Sequence, residues 1–123
     1  HSPEMFFSRL APGGHIRPHV GLMMGRLTVH MGLDVPEGAG IRVLDETRGW
    51  SPGEVIAFDD SFEHEAWNHG DRARVVLIFE AWHPDLSAAE RYGIARLFER
   101  RRSWLDRFDD DPLMPEPGTR PTF

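Results

Sequence analysis

At 123 residues, 40% hydrophobic and 28% charged, the chain has the size and balance of a single globular domain, which excludes the disordered and fibrous classes. A formal net charge of -6 argues against a surface built to neutralise phosphates, so nucleic acid is not an expected partner. There is no cysteine, which excludes disulfides, thiolate metal sites and a cysteine nucleophile, and no apolar run approaches the roughly 20 residues of a membrane span, so a soluble, cytoplasmic protein is expected.

In chain order, Met5–Leu10, Arg26–Leu33, Ile41–Leu44, Glu54–Phe58 and Arg74–Trp82 read as short strands. They are separated by the turn signals Pro12-Gly13-Gly14, Pro36-Glu37-Gly38, Ser51-Pro52-Gly53 and Asn68-His69-Gly70-Asp71. Strands following one another this way favour an all-β sandwich or barrel over alternating βα units. In Arg26–Leu33 the alternation puts Leu27, Val29, Met31 and Leu33 on one face and Arg26, Thr28, His30 and Gly32 on the other. A polar face of this kind suits either the lining of a ligand cavity or a wet outer surface. After His83-Pro84, Ser87 followed by Glu90 predicts a capping box, opening a helix that runs to about Phe108. Ile94, Leu97, Trp104, Leu105 and Phe108 give it an apolar stripe, so it is expected to pack on the β core or on a partner subunit. Arg100-Arg101-Arg102 sits among Glu99, Asp106 and the acidic run from Asp109, which cancel its field and make it a solvated face. The expected organisation is therefore a β core over residues 1–86, a helix over 87–108 and an irregular, proline-bearing tail over 109–123.

Without cysteine, a metal must take histidine and carboxylate ligands. Of the seven histidines, His1 is terminal, His69 lies in a turn, His83 precedes a proline, and His15 beside Pro12-Gly13-Gly14 reads as a surface residue. His19 and His64 differ, because each lies at the rim of a predicted β element, where sites are usually built. Two histidines and a carboxylate form the facial site of non-haem iron oxygenases. The carboxylate normally follows the first histidine by two residues, and here that position is Gly21. Either water fills the place, or another acid such as Asp60 or Glu63 supplies it. Arg74 opens the apolar run Val75–Phe79, where a charge needs a partner. Its planar fork matches a carboxylate, which the far end of 2-oxoglutarate would supply, or else Glu80 or Asp71 in a structural ion pair.

With these residues in place the chain resembles the aspartyl/asparaginyl β-hydroxylase family of iron(II)- and 2-oxoglutarate-dependent oxygenases. The matching stretches are Ser8–Gly21, Arg26–Pro36, Trp50–Trp67 and Arg74–Pro84. They hold Pro18-His19-Val20-Gly21, His30-Met31-Gly32-Leu33, Phe58-Asp59-Asp60-Ser61-Phe62-Glu63-His64-Glu65 and Trp82-His83-Pro84 in the family's order and spacing. The resemblance implies a mainly β fold, a double-stranded β-helix (jelly-roll, cupin-like) with the C-terminal helix appended. It implies His19 and His64 as iron ligands, Gly21 as the family's missing metal carboxylate, and Asp60 in a second shell orienting the water that takes its place. It implies Arg74 as the anchor of the 2-oxoglutarate tail, with Ser8 and His30 as further contacts. Thr28 stands where some members carry a second arginine, and members usually have further strand and pocket residues ahead of Met5.

The reaction so implied consumes oxygen and 2-oxoglutarate and hydroxylates an unactivated carbon, nominally the β-carbon of an aspartyl or asparaginyl residue in a peptide, or of a free or carrier-bound amino acid. Family members acting on lipid acyl chains make a lipid or other small molecule the alternative. Two other classes are a non-catalytic cupin-like binding module and a metal enzyme that does not use 2-oxoglutarate, against which Arg74 speaks.

Overall fold

The computed structural model describes residues 5–21 and 25–106, the last two of these by backbone only. The strands fall in one compact unit, Ser2–Pro84, and the helix in another, Asp85–Phe123. In the first unit the strands are β1 (Met5–Leu10), β2 (His15–His19), β3 (Arg26–Asp34), β4 (Ala39–Val43), β5 (Glu46–Arg48), β6 (Val55–Phe58), β7 (His64–Asn68) and β8 (Arg74–Trp82). They form two four-stranded antiparallel sheets, in the orders β1-β8-β3-β6 and β2-β7-β4-β5. Ile41 and Ala66 from one sheet meet Val76 from the other and Trp50 from the loop before β6, which makes a small core between the sheets.

Each of the five strands expected from sequence is present. The one read as Ile41–Leu44 shifts to Ala39–Val43, because Leu44 adopts a left-handed φ of 52° in the turn to β5. There its N–H donates to the Glu63 carbonyl at 2.9 Å. Three strands, β2, β5 and β7, were not expected from sequence. Their residues, HIRPH, ETR and HEAWN, are short and rich in charge and histidine, so they lack the apolar alternation by which a half-buried strand is recognised.

The two faces of β3 resolve in favour of a polar interior. Arg26 and His30 are buried, while Leu33 on the other face is exposed. Gly32 continues the inward row and admits a close neighbour. A β-carbon there would stand 2.7 Å from the Ser51 carbonyl oxygen, so only glycine lets the 51–54 loop dock on the strand. The docking is held by Gly32 N–H to Glu54 O at 3.1 Å and Gly53 N–H to Gly32 O at 2.8 Å.

In the second unit, α1 (Ala88–Asp106) begins with the expected box. Ser87 N–H donates to Glu90 Oε2 at 2.8 Å, and Glu90 N–H donates to Ser87 Oγ at 3.3 Å. Of the predicted apolar stripe, Ile94 is half-buried, while Leu97 and Trp104 are exposed. Leu105 is described by backbone only, and Phe108 and the tail over 109–123 lie outside the described residues. Among the described residues no helix is long and apolar enough to cross a membrane.

Asn68 closes the β7 end of the first unit. Fully buried, it donates from Nδ2 to Leu10 O at 3.0 Å and Arg72 O at 2.9 Å, and accepts from Gly70 N–H at 3.0 Å. Asn68→Ala removes the partner of three part-buried backbone groups, so chemical denaturation should show a loss on the order of 3 kcal/mol, and a loss below about 1 kcal/mol would contradict the assignment.

Candidate functional site

His19 ends β2 and His64 opens β7, and the antiparallel register sets the two directly opposite one another. Their ring centroids lie 4.2 Å apart. Each ring is fixed in the same manner: His19 Nδ1 meets the Arg17 carbonyl at 2.8 Å, and His64 Nδ1 meets the Phe62 carbonyl at 2.8 Å. A carbonyl can only accept, so Nδ1 carries the proton in both rings and Nε2 keeps its lone pair. Two neighbouring imidazoles with Nε2 free are the donor arrangement that a divalent metal uses, each backed by a carbonyl that sets the tautomer. Among the described residues, no group of three or more His, Asp or Glu side chains is placed to hold a metal by protein ligands alone.

The histidines line a cavity of about 290 Å³, at the small end for ligand sites. Ser8, Thr28, His30, Asp60 and Arg74 line it too, so all six residues singled out in the sequence, Ser8, His19, His30, Asp60, His64 and Arg74, converge on one space. A second cavity of about 280 Å³ shares Ile41 and Phe58 with it and contains no histidine.

Arg74 is 1% exposed and points inward in step with Val76. Its Nη2 donates to Ser8 Oγ at 2.8 Å, reaching across the pair β1–β8. Nε is buried without a hydrogen-bond partner. Neither acid weighed for it from sequence is bound to it. Glu80 accepts from Arg26 Nη1 at 2.6 Å, and Asp71 lies 3.8 Å from Arg72. Burial holds the Arg74 pKa below its ordinary value, which marks a charge kept without full compensation.

Asp60 and Gly21 explain each other. Gly21 N–H donates to the Asp60 backbone carbonyl at 2.6 Å, and a β-carbon on Gly21 would stand 2.2 Å from Asp60 Oδ2. The carboxylate of Asp60 thus occupies the space into which a side chain at position 21 would project. Burial raises the Asp60 pKa above the usual carboxylate value. Glu63, the other acid weighed from sequence, is instead exposed and paired with Arg42 at 3.0 Å.

Phe6, Ile16, Phe58, Glu65 and Ile78 also line the cavity without having been singled out from sequence, and so does Glu80, which was weighed only as an ion-pair partner of Arg74. For Ile78 and Glu80 a signal existed, since alternation from Arg74 puts residues 76, 78 and 80 on the same side of β8. His15, taken as a surface residue, is exposed and bonded to Glu65 Oε2 at 2.8 Å.

Burial, then the positive charge of Arg74, then the electrostatic influence of His64 lower the His30 pKa from 6.5 to about 4. The unfolded chain therefore takes up a proton at His30 as pH falls through 6.5, and the folded chain does so only near 4. The stability that neutral His30 contributes is intact above 6.5 and drains between 6.5 and 4, a gap worth roughly 3 kcal/mol. Between about pH 7.5 and about pH 5, the denaturation free energy of His30→Gln should fall less than that of the parent, and equal falls would remove His30 as the titrating group.

The family described as aspartyl/asparaginyl beta-hydroxylase matches residues 1–84. The aspartyl/asparaginyl beta-hydroxylase of Mus musculus is 45% identical over 89 residues, covering 72% of this chain and 12% of that protein. The ornithine lipid ester-linked acyl 2-hydroxylase of Rhizobium tropici is 44% identical over 86 residues, covering 68% of this chain and 31% of that protein. The chain thus spans less than a third of the length of these curated relatives. Solved structures similar in fold include a cupin protein from Bacteroides fragilis, with a TM-score of 0.57 at 12% identity over 72% of each chain. The Cnp3 cupin domain of Schizosaccharomyces pombe gives a TM-score of 0.57 at 13% identity, over 83% of this chain and 63% of that one. Both support the expected mainly β, cupin-like jelly-roll. By the extent of the family match and by identity to its named members, the chain belongs to the aspartyl/asparaginyl beta-hydroxylase family.

Proposed function

We propose that the cavity is the active site of an iron(II)- and 2-oxoglutarate-dependent dioxygenase that hydroxylates an unactivated carbon. One observation carries this reading: a fully buried arginine, bound to no carboxylate among the described residues, faces the same cavity as two histidines whose Nε2 atoms are free. A buried charge must be paired, and an anionic ligand that also reaches the histidine pair satisfies both features. When bound, iron and 2-oxoglutarate supply the oxidising chemistry, in which oxygen is consumed, succinate and carbon dioxide leave, and a C–H bond becomes C–OH.

The chain's own part is binding and orientation. His19 and His64 hold the metal through Nε2, their rings set by the Arg17 and Phe62 carbonyls. Arg74 takes the far carboxylate of the cosubstrate in its fork. Ser8 accepts from Arg74, which leaves the Ser8 hydroxyl proton free to donate to the same carboxylate. His30 stays neutral at physiological pH and brings Nδ1, buried without a partner, to the same end. Asp60 lies where the third facial ligand of related oxygenases would start, and accepts from a water at that place.

The nominal substrate is the β-carbon of an aspartyl or asparaginyl residue in a peptide, or of a free or carrier-bound amino acid, by likeness to the mouse relative. The Rhizobium relative, named for an ester-linked acyl chain at nearly the same identity, supports a lipid substrate as the second reading.

Anaerobic addition of Fe(II) and 2-oxoglutarate should produce the visible charge-transfer band of the chelate, and admission of air with substrate should yield succinate. His64→Ala should abolish metal binding, while Arg74→Ala should spare the metal and weaken the cosubstrate at least tenfold, the scale of a lost charge-assisted pair, about 1.5–3 kcal/mol. A chain giving neither band nor succinate is a binding module and not an oxygenase.

Gly21→Ala tests the placement of Asp60 by the most conservative change available, since its β-carbon must displace the carboxylate. Affinity for Mn(II), a redox-inert stand-in, should drop on the order of tenfold while the melting temperature holds. An unchanged affinity would show that Asp60 has no bearing on the metal.

A further inference from the structure

We propose that Trp50 is a positioning residue for the anion end of the site: its indole face compensates the buried charge of Arg74 without occupying the guanidinium fork, so the fork stays available to a ligand carboxylate. The inference rests on the reading of Arg74 given above and adds a residue that does not line the cavity.

Arg74 Cζ lies over the Trp50 ring, 4.8 Å from its centroid. Among the described residues, the guanidinium's other partner is Ser8 Oγ, which is neutral. A carboxylate in Trp50's place would neutralise Arg74 and compete for the very N–H groups that a dicarboxylate needs. An aromatic face attracts the cation through its quadrupole and takes no N–H, so the charge is steadied and its donors are left over. That is the requirement of a pre-formed anion site in a dry wall, where a bare guanidinium is costly and a paired one is useless.

The same indole braces the second cavity residue at that end. The His30 ring stacks on it at 6.0 Å between centroids and 17° between planes, so one side chain sets both Arg74 and His30 from behind. Trp50 is 6% exposed and its Nε1 is buried without a hydrogen-bond partner, so the ring face and not the N–H is what the indole contributes. Its delivery is specific as well. Trp50 directly precedes the 51–54 loop, which docks on β3 only because Gly32 leaves room for the Ser51 carbonyl.

The test separates the ring's electronics from its bulk. Tryptophans carrying an increasing number of ring fluorines, placed at position 50 alone, keep the shape and weaken the quadrupole. The chain is loaded with Mn(II), and calorimetry measures binding of 2-oxoglutarate and of oxalate, which chelates a metal but has no distal carboxylate to reach Arg74. The affinity for 2-oxoglutarate should fall stepwise with fluorination, by about tenfold across the series, while that for oxalate stays constant. Trp50→Phe should lie between the parent and Trp50→Leu. A flat 2-oxoglutarate series in a chain whose Arg74→Gln variant loses that ligand overturns the role of Trp50 and leaves the cosubstrate reading intact. If the parent does not bind 2-oxoglutarate, or if Arg74→Gln binds it as well as the parent, the cosubstrate reading falls and this inference falls with it. Parallel losses for oxalate and 2-oxoglutarate would show that Trp50 merely supports the metal end, and would equally overturn it.

Discussion

The constraint on which the rest of the molecule turns is a guanidinium enclosed between two sheets with no acid bound to it among the described residues. Moving a charge out of water costs several kcal/mol even after the protein relaxes, and the usual remedy, a carboxylate at hydrogen-bond distance, is absent at Arg74. The neighbours fit that constraint. Ser8 offers a hydroxyl from β1, Trp50 offers a ring face from a loop, and His30 stays uncharged beside it. Two of the three acids lining the same cavity are bound elsewhere, Glu80 to Arg26 and Glu65 to Arg42 and His15, and the third, Asp60, lies against Gly21. An arginine so placed is a defect in a stability argument and an asset in a binding one, because the anion that completes it need not displace an internal partner.

The histidine end follows a different logic. A facial site usually takes its carboxylate from the strand that carries the first histidine. Here β2 ends at His19, and a carboxylate reaches the same region from the segment before β7, with glycine at position 21 making room. The register of β2 against β7 fixes the two rings, and the carbonyls of Arg17 and Phe62 fix their tautomers, so the histidine pair is held in place without a third side chain of metal-binding type grouped with it among the described residues. In the proposed metal site the third position would then be solvated, with Asp60 as the acceptor that would orient what enters it.

How far the sequence foretold this depends on which kind of strand is considered. β3 and β8 are nine residues each and carry the alternation or the apolar run that marks a strand, and β1 and β6 follow the same rule at shorter length. β2 and β7 were illegible as strands because charged residues and histidines stand where apolar ones would be: His15, Arg17 and His19 in one, of which only His19 lines the cavity, and His64 and Glu65 in the other, both of which do. Pattern methods read burial, and those positions are chosen for chemistry. The same conflict hid the pairing. That His19 faces His64 is a statement about register over 44 intervening positions, which spacing cannot supply and a family resemblance can. Arg74 could be seen to need a partner, but whether Glu80 served it depended on Arg26 taking Glu80 first, a competition settled only in three dimensions.

The polar interior has a further consequence for how variants of this protein must be read. Alternation along β3 and β8 sends Arg26, His30, Arg74 and Glu80 inward, leaving Leu33, like Met5 and Phe7 on β1, exposed. Only Ile41, Trp50, Ala66 and Val76 form the buried apolar core among the described residues, and Trp50 is also the ring beneath Arg74. Site and core therefore share a wall: Ile41 and Ala66 of the core line the cavity, and Trp50 backs Arg74. In such a molecule a loss of activity says little by itself, since a substitution at Arg74, His30 or Trp50 touches packing and ligand binding at once. What separates the two is a pair of ligands sharing one end of the site, one reaching Arg74 and one stopping at the metal. A packing defect weakens both, whereas a defect in charge presentation weakens only the longer.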